Sequence, residues 1–557
     1  MYLSLCALHR HQSRRRGPRT ALRFRACGRY RDVTWTDYRR HADNVASGLI
    51  GLGVRPGDRV GILSENRWEW LAADHAMLSC GAATVPLHAP LSAAQVAYQL
   101  GHSGARGLFV STQEQTDKVL QVLEDLPDLE FLVSFEAVDV GRSRLTYSTW
   151  DGLRHRGHQN GDAGRTEIAR READLDQDSL ATIIYTSGTT GNPKGVMLTH
   201  GNLLSNALST GTISLVSAQD VLMSWLPYSH IYARTVDHYL TTETGTIVAL
   251  AASVDTLVDD LKSIKPAWIT SVPRFYEKIW SSVSQLDPDS RRIQLHAIFG
   301  PNMTQLCSGG APLPQHVCLG FFEAGLPLLE GYGLTETSPV ISFNSLNDYR
   351  IGSVGLALPG VDVRIAADGE ILTRGPHVMP GYWENADATR QAIVEGWFHT
   401  GDIGRLDDDG YLFITGRKKD LIITSGGKNI ASSEIERLLV SDPYIDQAVV
   451  YGDGRPFISA MLVPDFEALA TVEAGRDLSP TGDYLKQTAL LTFFQERVTM
   501  ALESVGHTER VKRFIVLARP FDLEAEELTA TLKVRRQFLI EKHKHALAEL
   551  YQRSAAD

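Results

Sequence analysis

At 557 residues, the chain is long enough for two to four domains at roughly 100–200 residues each. Its 43% hydrophobic and 22% charged content is ordinary for a globular protein, and 55 basic against 66 acidic residues, a net −11, argue against general nucleic-acid binding. No stretch approaches the roughly 18 consecutive apolar residues of a membrane span, and Cys6, Cys27, Cys80, Cys307 and Cys318 stand at no metal or redox spacing, which points to free thiols in a reducing, cytoplasmic setting.

The N-terminal MYLSLCALHRHQSRRRG is too short in its apolar part for a secretory signal, and its basic residues follow that part. The arginines at 14–16 read as a solvated tail in preference to a peripheral contact with an anionic membrane surface. Apolar positions at helical period then predict a helix over 38–52, GVRPGDRVGIL a turn and short strand, a further helix over 68–80, and GAATVPL the next strand. Such alternation predicts a parallel, helix-covered sheet. Residues 150–178 are polar and poor in apolar side chains, and read as a surface connector.

The apolar run 180–184 predicts a buried strand, and YTSGTTGNPKG follows it at 185–195. Three glycines let the backbone curl so that successive N–H groups point at one anion, and five hydroxyls add donors. Thr186, Ser187, Gly188, Thr189, Thr190 and Gly191 would form the cradle, with Lys194 as the cation at its rim. The pattern is not the common nucleotide loop, which needs glycine before the lysine and Ser or Thr after it; here Pro193 precedes and Gly195 follows. The reading is a polyphosphate cradle rather than a plain Ser/Thr/Gly-rich surface loop.

A second alternating block runs from about 196 to 340 and contains LPYSHIYAR with His230, where a histidine satisfied by a backbone carbonyl is the bland alternative. SGGAPL (308–313) offers bare backbone at Gly309, Gly310 and Ala311 that a planar base could approach. In EGYGLTETSP (330–339), Glu330, Gly331 and Gly333 surround Tyr332, whose ring could stack on a base, and Thr335 and Glu336 set a hydroxyl beside a carboxylate. One carboxylate is sufficient for Mg²⁺, which fills its shell with substrate phosphate oxygens.

Over 350–415 short strands alternate with Gly, Asp and Pro turns, predicting a small antiparallel sheet or barrel. WFHTGD (397–402) and TGRKKD (415–420) supply Asp402 and Arg417, an acceptor and a donor for the hydroxyls of a ribose, against a plain surface ion pair. The last block reads helix 433–440, strands 447–451 and 458–463, helix 490–505, strand 514–517 and a basic C-terminal helix, an independent α+β domain of about 135 residues. TLKVRR (531–536) there contains Lys533.

These motifs, in this order from about Thr34 to Leu550, resemble the adenylate-forming (AMP-binding) superfamily, and WITSVPRFYEKIW (268–280), 447–469 and 509–536 resemble its long-chain fatty-acyl-CoA synthetases. The resemblance implies an α/β fold: a large N-terminal domain (1–418) with doubly wound sheets and a small β-barrel-like subdomain, and a smaller, mobile α+β C-terminal lid (419–557). It implies an Mg²⁺-dependent enzyme that uses ATP to turn a fatty acid into acyl-AMP and passes the acyl group to CoA, with an acyl carrier protein as the alternative acceptor. Lys533 would stabilise the α-phosphate, His230 would sit beside the carboxylate, and Glu336 with Thr189 would hold the metal. Lys419 would be the pivot, and Gly426 and Gly427 would admit the pantetheine arm. Two features set this chain apart: Ala530 stands where such chains usually have proline, and 281–307 is short where long-chain enzymes carry a helical insert.

Overall fold

The computed structural model describes residues 2–186, 192–426, 428–476, 478–503, 505–522, 525, 527–528 and 534–552. Among the described residues, the strand Leu180–Thr186 belongs to an eight-stranded sheet. Its order is Gly381–Tyr382, Lys194–Thr199, Leu180–Thr186, Ala83–Leu87, Arg59–Leu63, Ala105–Val110, Phe131–Ser134, Thr146–Thr149. From Leu180–Thr186 to Thr146–Thr149 the neighbours pair parallel, as the helix–strand alternation of the sequence predicts. On the other side, Leu180–Thr186 and Lys194–Thr199 form an antiparallel hairpin in which Tyr185 faces Gly195 and Thr186 faces Lys194.

A second sheet of nine strands runs Leu356–Ala357, Val340–Phe343, Leu328–Gly333, Gln305–Ser308, Trp268–Ser271, Val221–Ser224, Ile247–Leu250, Thr20–Ala26, Arg29–Thr34. Its middle is parallel and its ends are antiparallel. The short-strand region forms a five-stranded sheet, and the last block forms another, with Ile445–Tyr451 and Ser459–Pro464 antiparallel beside Arg513–Leu517. The chain divides into two compact units: Met1–Arg364, Leu372–Thr400 and Leu406–Phe413 in one, Ile365–Ile371, Gly401–Arg405 and Ile414–Asp557 in the other.

The N-terminal stretch is not a tail. Leu5–Arg16 is a helix: Ser4 Oγ accepts from Ala7 N at its start, and the Gly17 N–H closes its end on Ser13 O at 3.0 Å. Leu5, Cys6 and Leu8 are buried in a core cluster with Leu203, Leu240 and Trp268. Arg16 lies in that interior too, donating to Thr244 O and to Gln12 Oε1, so only Arg14 and Arg15 of the trio face solvent. Each buried Leu removes apolar surface worth roughly 1.5–3 kcal/mol, enough to hold a short helix that its own propensity would not.

Residues 150–178 are likewise corrected. They form helices Trp150–Gln159 and Gly161–Ala173, the first packed on helix Trp35–Gly51. Trp150, Leu153, Gly157, Ile168 and Arg171 are buried at helical spacing, and Arg171 donates to the carbonyls of Val54 and Cys80. A Cβ on Gly157 would stand 1.8 Å from Asn44 O, so glycine is what lets these helix backbones meet. The short 281–307 segment holds the helix Pro288–Phe299, which buries Leu295 and Phe299.

Candidate functional site

The two flanks of the expected cradle are pinned by their neighbours. Tyr185 OH lies 2.8 Å from His102 Nδ1, Tyr98 OH donates to Pro193 O at 3.0 Å, and Trp383 N donates to Gly195 O at 2.7 Å. Thr186 and Lys194 face each other where the loop begins and ends, while Ser187, Gly188, Thr189, Thr190 and Gly191 lie outside the described residues. The strand Gly381–Tyr382 pairs antiparallel with the second arm, Tyr382 opposite Val196. Tyr382 thereby reaches both candidate charges: the Lys194 ammonium lies 4.9 Å from its ring centroid, and its hydroxyl donates to Glu336 Oε1 at 2.9 Å. Burial, reinforced by the Glu336 carboxylate, holds the phenol far above its ordinary range, so it stays a donor.

Sequence reading missed Tyr382, Trp383, Tyr98 and His102. The GYWE text at 381–384 lies some 190 residues from the loop, and only the sheet register shows that they meet.

The EGYGLTETSP stretch forms the strand end Leu328–Gly333 and a 3₁₀ turn at Thr335–Thr337. Met379 N donates to Glu336 O at 2.9 Å, fixing the backbone beneath that carboxylate. Gly331 and Gly333 are required by the neighbouring strand: a Cβ at 333 would sit 1.8 Å from Pro339 O, and one at 331 would sit 2.8 Å from the Phe343 ring. Tyr332, Thr335 and Glu336 are half-buried, and Glu330 Oε1 accepts from Leu313 N at 3.3 Å, tying SGGAPL to this strand. Gly310, at φ +83°, and Ala311 are exposed.

His230 caps the short helix Ile231–Ala233, its Nδ1 accepting from Tyr232 N at 3.3 Å. A Cβ on Gly309 would lie 3.3 Å from the Tyr232 ring and 3.6 Å from Gly331 O, so the three stretches carrying His230, Gly309 and Tyr332 converge. Asn66 braces the His230 turn, accepting from Tyr228 N and donating to Leu226 O, and Ser229 Oγ lies 2.8 Å from His88 Nδ1.

Beyond His230 a π-helix, Arg234–Leu240, is buried throughout. Asp237 accepts from Ser224 and Thr270 hydroxyls there, and its burial raises it to about 7. It is a core group. Asp74 is also fully buried, ion-paired to Arg234 and accepting from Tyr239 OH at 2.7 Å and Thr84 Oγ1 at 2.8 Å.

In the second unit Asp402 is buried and accepts from Arg417 Nε at 2.7 Å. The two thus form the ion pair weighed above as the plain alternative to a ribose site, with the arginine half-exposed. Lys419 is exposed in the single 3₁₀ turn Lys418–Asp420, whose Lys418 pairs with Asp368 and Glu370. Gly426 is exposed in the turn between Leu421–Ile423 and Asn429–Ala431. Gly427 and Lys533 lie outside the described residues. Three residues past Lys533, Arg536 is held by Glu436 and Asp420.

Among the described residues no group of three or more His, Cys, Asp or Glu could hold a metal ion unaided, and no helix is long and apolar enough to cross a membrane. A single carboxylate completed by phosphate oxygens suits Mg²⁺. Glu336 fits that use, half-buried and fixed through one oxygen by a neutral phenol.

Known proteins resemble this chain in sequence and in fold. A family model described as AMP-binding enzyme matches residues 9–383, and one described as AMP-binding enzyme C-terminal domain matches 419–555. The chain is 34% identical to the long-chain-fatty-acid–CoA ligase FadD15 of Mycobacterium tuberculosis, covering 94% of this chain and 93% of that protein. Among solved structures it resembles the adenylation domain of a Mycobacterium chelonae carboxylate reductase, with TM-score 0.80, 22% identity and coverage of 99% and 91%. It also resembles the Bacillus subtilis o-succinylbenzoate CoA synthetase in complex with ATP and magnesium, with TM-score 0.72, 24% identity and coverage of 95% and 98%. On the match over both parts of its length, the chain belongs to the AMP-binding enzyme family.

Proposed function

We propose that this chain is an acid–thiol ligase that activates a medium- to long-chain fatty acid as acyl-AMP and transfers it to CoA, releasing AMP and pyrophosphate. The observation that carries the reading is the convergence of Lys194 and Glu336 on Tyr382 at the foot of the glycine-rich hairpin, in a chain similar to FadD15 over 94% of its length. A carboxylate is a poor nucleophile toward an anionic phosphate, so charge neutralisation and in-line positioning dominate the barrier. Lys194 and the hairpin would hold the β- and γ-phosphates, and His230 would orient the acid. Tyr332 would face the base, while Asp402 and Arg417 would take the ribose. Glu336, with Thr189, would hold Mg²⁺, which when bound neutralises phosphate charge.

In the second half-reaction the CoA thiol attacks the mixed anhydride and AMP leaves. Lys533 over the α-phosphate would block that approach, so residues 419–557 would swing as a lid about Lys419. The division of the chain into compact units at 413/414 and the start of the C-terminal family match at 419 support a pivot in this stretch. Gly426 and Gly427 would then leave room for pantetheine. The continuous run 416–436, with no insertion, favours CoA over a carrier protein.

The test is pyrophosphate release across acids from acetate to oleate, with CoA or an acyl carrier protein as acceptor. Release and thioester formation with longer acids and CoA are expected. Thioester formed on the carrier protein alone would overturn the acceptor assignment.

A further inference from the structure

Resting on the nucleotide reading above, we infer that Tyr382 is a positioning residue that aims the Glu336 carboxylate at the metal-bound nucleotide and, through its ring, sets the Lys194 ammonium at the loop rim. Its hydroxyl donates to Glu336 Oε1 at 2.9 Å, and its ring lies 4.9 Å from Lys194 Nζ. No other described residue makes both contacts. The backbone beneath is over-determined. Tyr382 faces Val196 across the sheet, its N–H donates to Thr389 Oγ1 at 2.9 Å, and the Trp383 N–H donates to Gly195 O at 2.7 Å. Gly381 before it has φ +155°, and a Cβ there would stand 2.7 Å from the Thr389 side chain. The tyrosine is 9% exposed, so its hydroxyl reaches Glu336 from a fixed platform.

The two contacts do different work. The hydrogen bond engages one carboxylate oxygen and leaves the other to face a cation. Partners of this kind orient a metal ligand, and removing them costs about 10–100-fold in metal affinity. The ring holds a cation over its face, an attraction that does not depend on any metal. Phenylalanine keeps the second contact and deletes the first; leucine deletes both.

The experiment is calorimetric titration of the full-length protein with ATP, once in EDTA and once in excess Mg²⁺. Tyr382→Phe should lower affinity for MgATP about tenfold, with ATP affinity in EDTA unchanged. Tyr382→Leu should weaken both. In a Glu336→Gln background, Tyr382→Phe should have no further effect on MgATP, because the two act as one unit. Thermal melts of each variant verify folding. A Tyr382→Phe protein with native MgATP affinity, equal loss with and without metal, or additivity with Glu336→Gln would overturn the assignment of Tyr382. An unaltered protein that binds ATP in neither condition would overturn the nucleotide reading itself, and this inference with it.

Discussion

Asp74 and Asp237 are buried to the same degree and are held toward opposite protonation states. Burial opposes ionisation at both, but Arg234 and His238 outweigh it at Asp74 and hold that carboxyl well below its usual range. Among the described residues Asp237 has only hydroxyl partners, and burial lifts it to about 7. The unfolded chain releases this proton near 3.8, whereas the folded chain keeps it to about 7. Between those values the folded form binds the extra proton, so Asp237 contributes full stability below the lower pKa and loses it as pH rises through the higher one. Asp237→Asn should therefore gain stability relative to the unaltered protein between pH 5 and pH 8. Paired thermal melts at the two pH values read this directly, and a pH-independent difference would contradict it. Arg234→Met removes the guanidinium that pairs with the buried Asp74, and chemical denaturation should show a loss of about 3–5 kcal/mol.

Elements whose burial follows a simple period are legible in the amino-acid sequence. The strand Leu180–Thr186 and helices Trp35–Gly51 and Trp68–Ser79 fall within a few residues of the expected spans, because their apolar residues dominate the text. The helices over 150–173 are not legible in this way, since Gly157 and Arg171 take interior positions there that usually belong to apolar side chains. The N-terminal helix is hidden by its arginines, although Leu5 and Leu8 carry its packing. Among the residues proposed to bind the nucleotide, Lys194, Glu336, Asp402 and Arg417 are singled out by local motif chemistry alone. Tyr382 is not, because its role exists only across a strand pair between distant segments. Two substitutions check the corrected elements. Leu8→Ala should cost about 3 kcal/mol in denaturant unfolding, and an unchanged midpoint would return the helix to a solvated tail. Gly157→Ala should cost about 2 kcal/mol by forcing helices Trp35–Gly51 and Trp150–Gln159 apart.

At the scale of the whole molecule, the family match divides as the proposed chemistry does, with one model over 9–383 and another over 419–555. In the proposed scheme the two half-reactions need different groups at one phosphate. Lys533→Ala should cripple acyl-AMP formation yet largely spare thioester formation from supplied acyl-AMP, and equal loss in both would remove the two-state scheme. Lys419→Pro fixes φ at the proposed pivot and should slow thioester formation while leaving adenylation near normal, as single-turnover assays of each half would show. The most direct test of the central claim is exchange of labelled pyrophosphate into ATP with CoA omitted. The account predicts exchange that depends on a long-chain fatty acid and on Mg²⁺, and that is lost on Glu336→Ala. Exchange with no acid from acetate to oleate would contradict it.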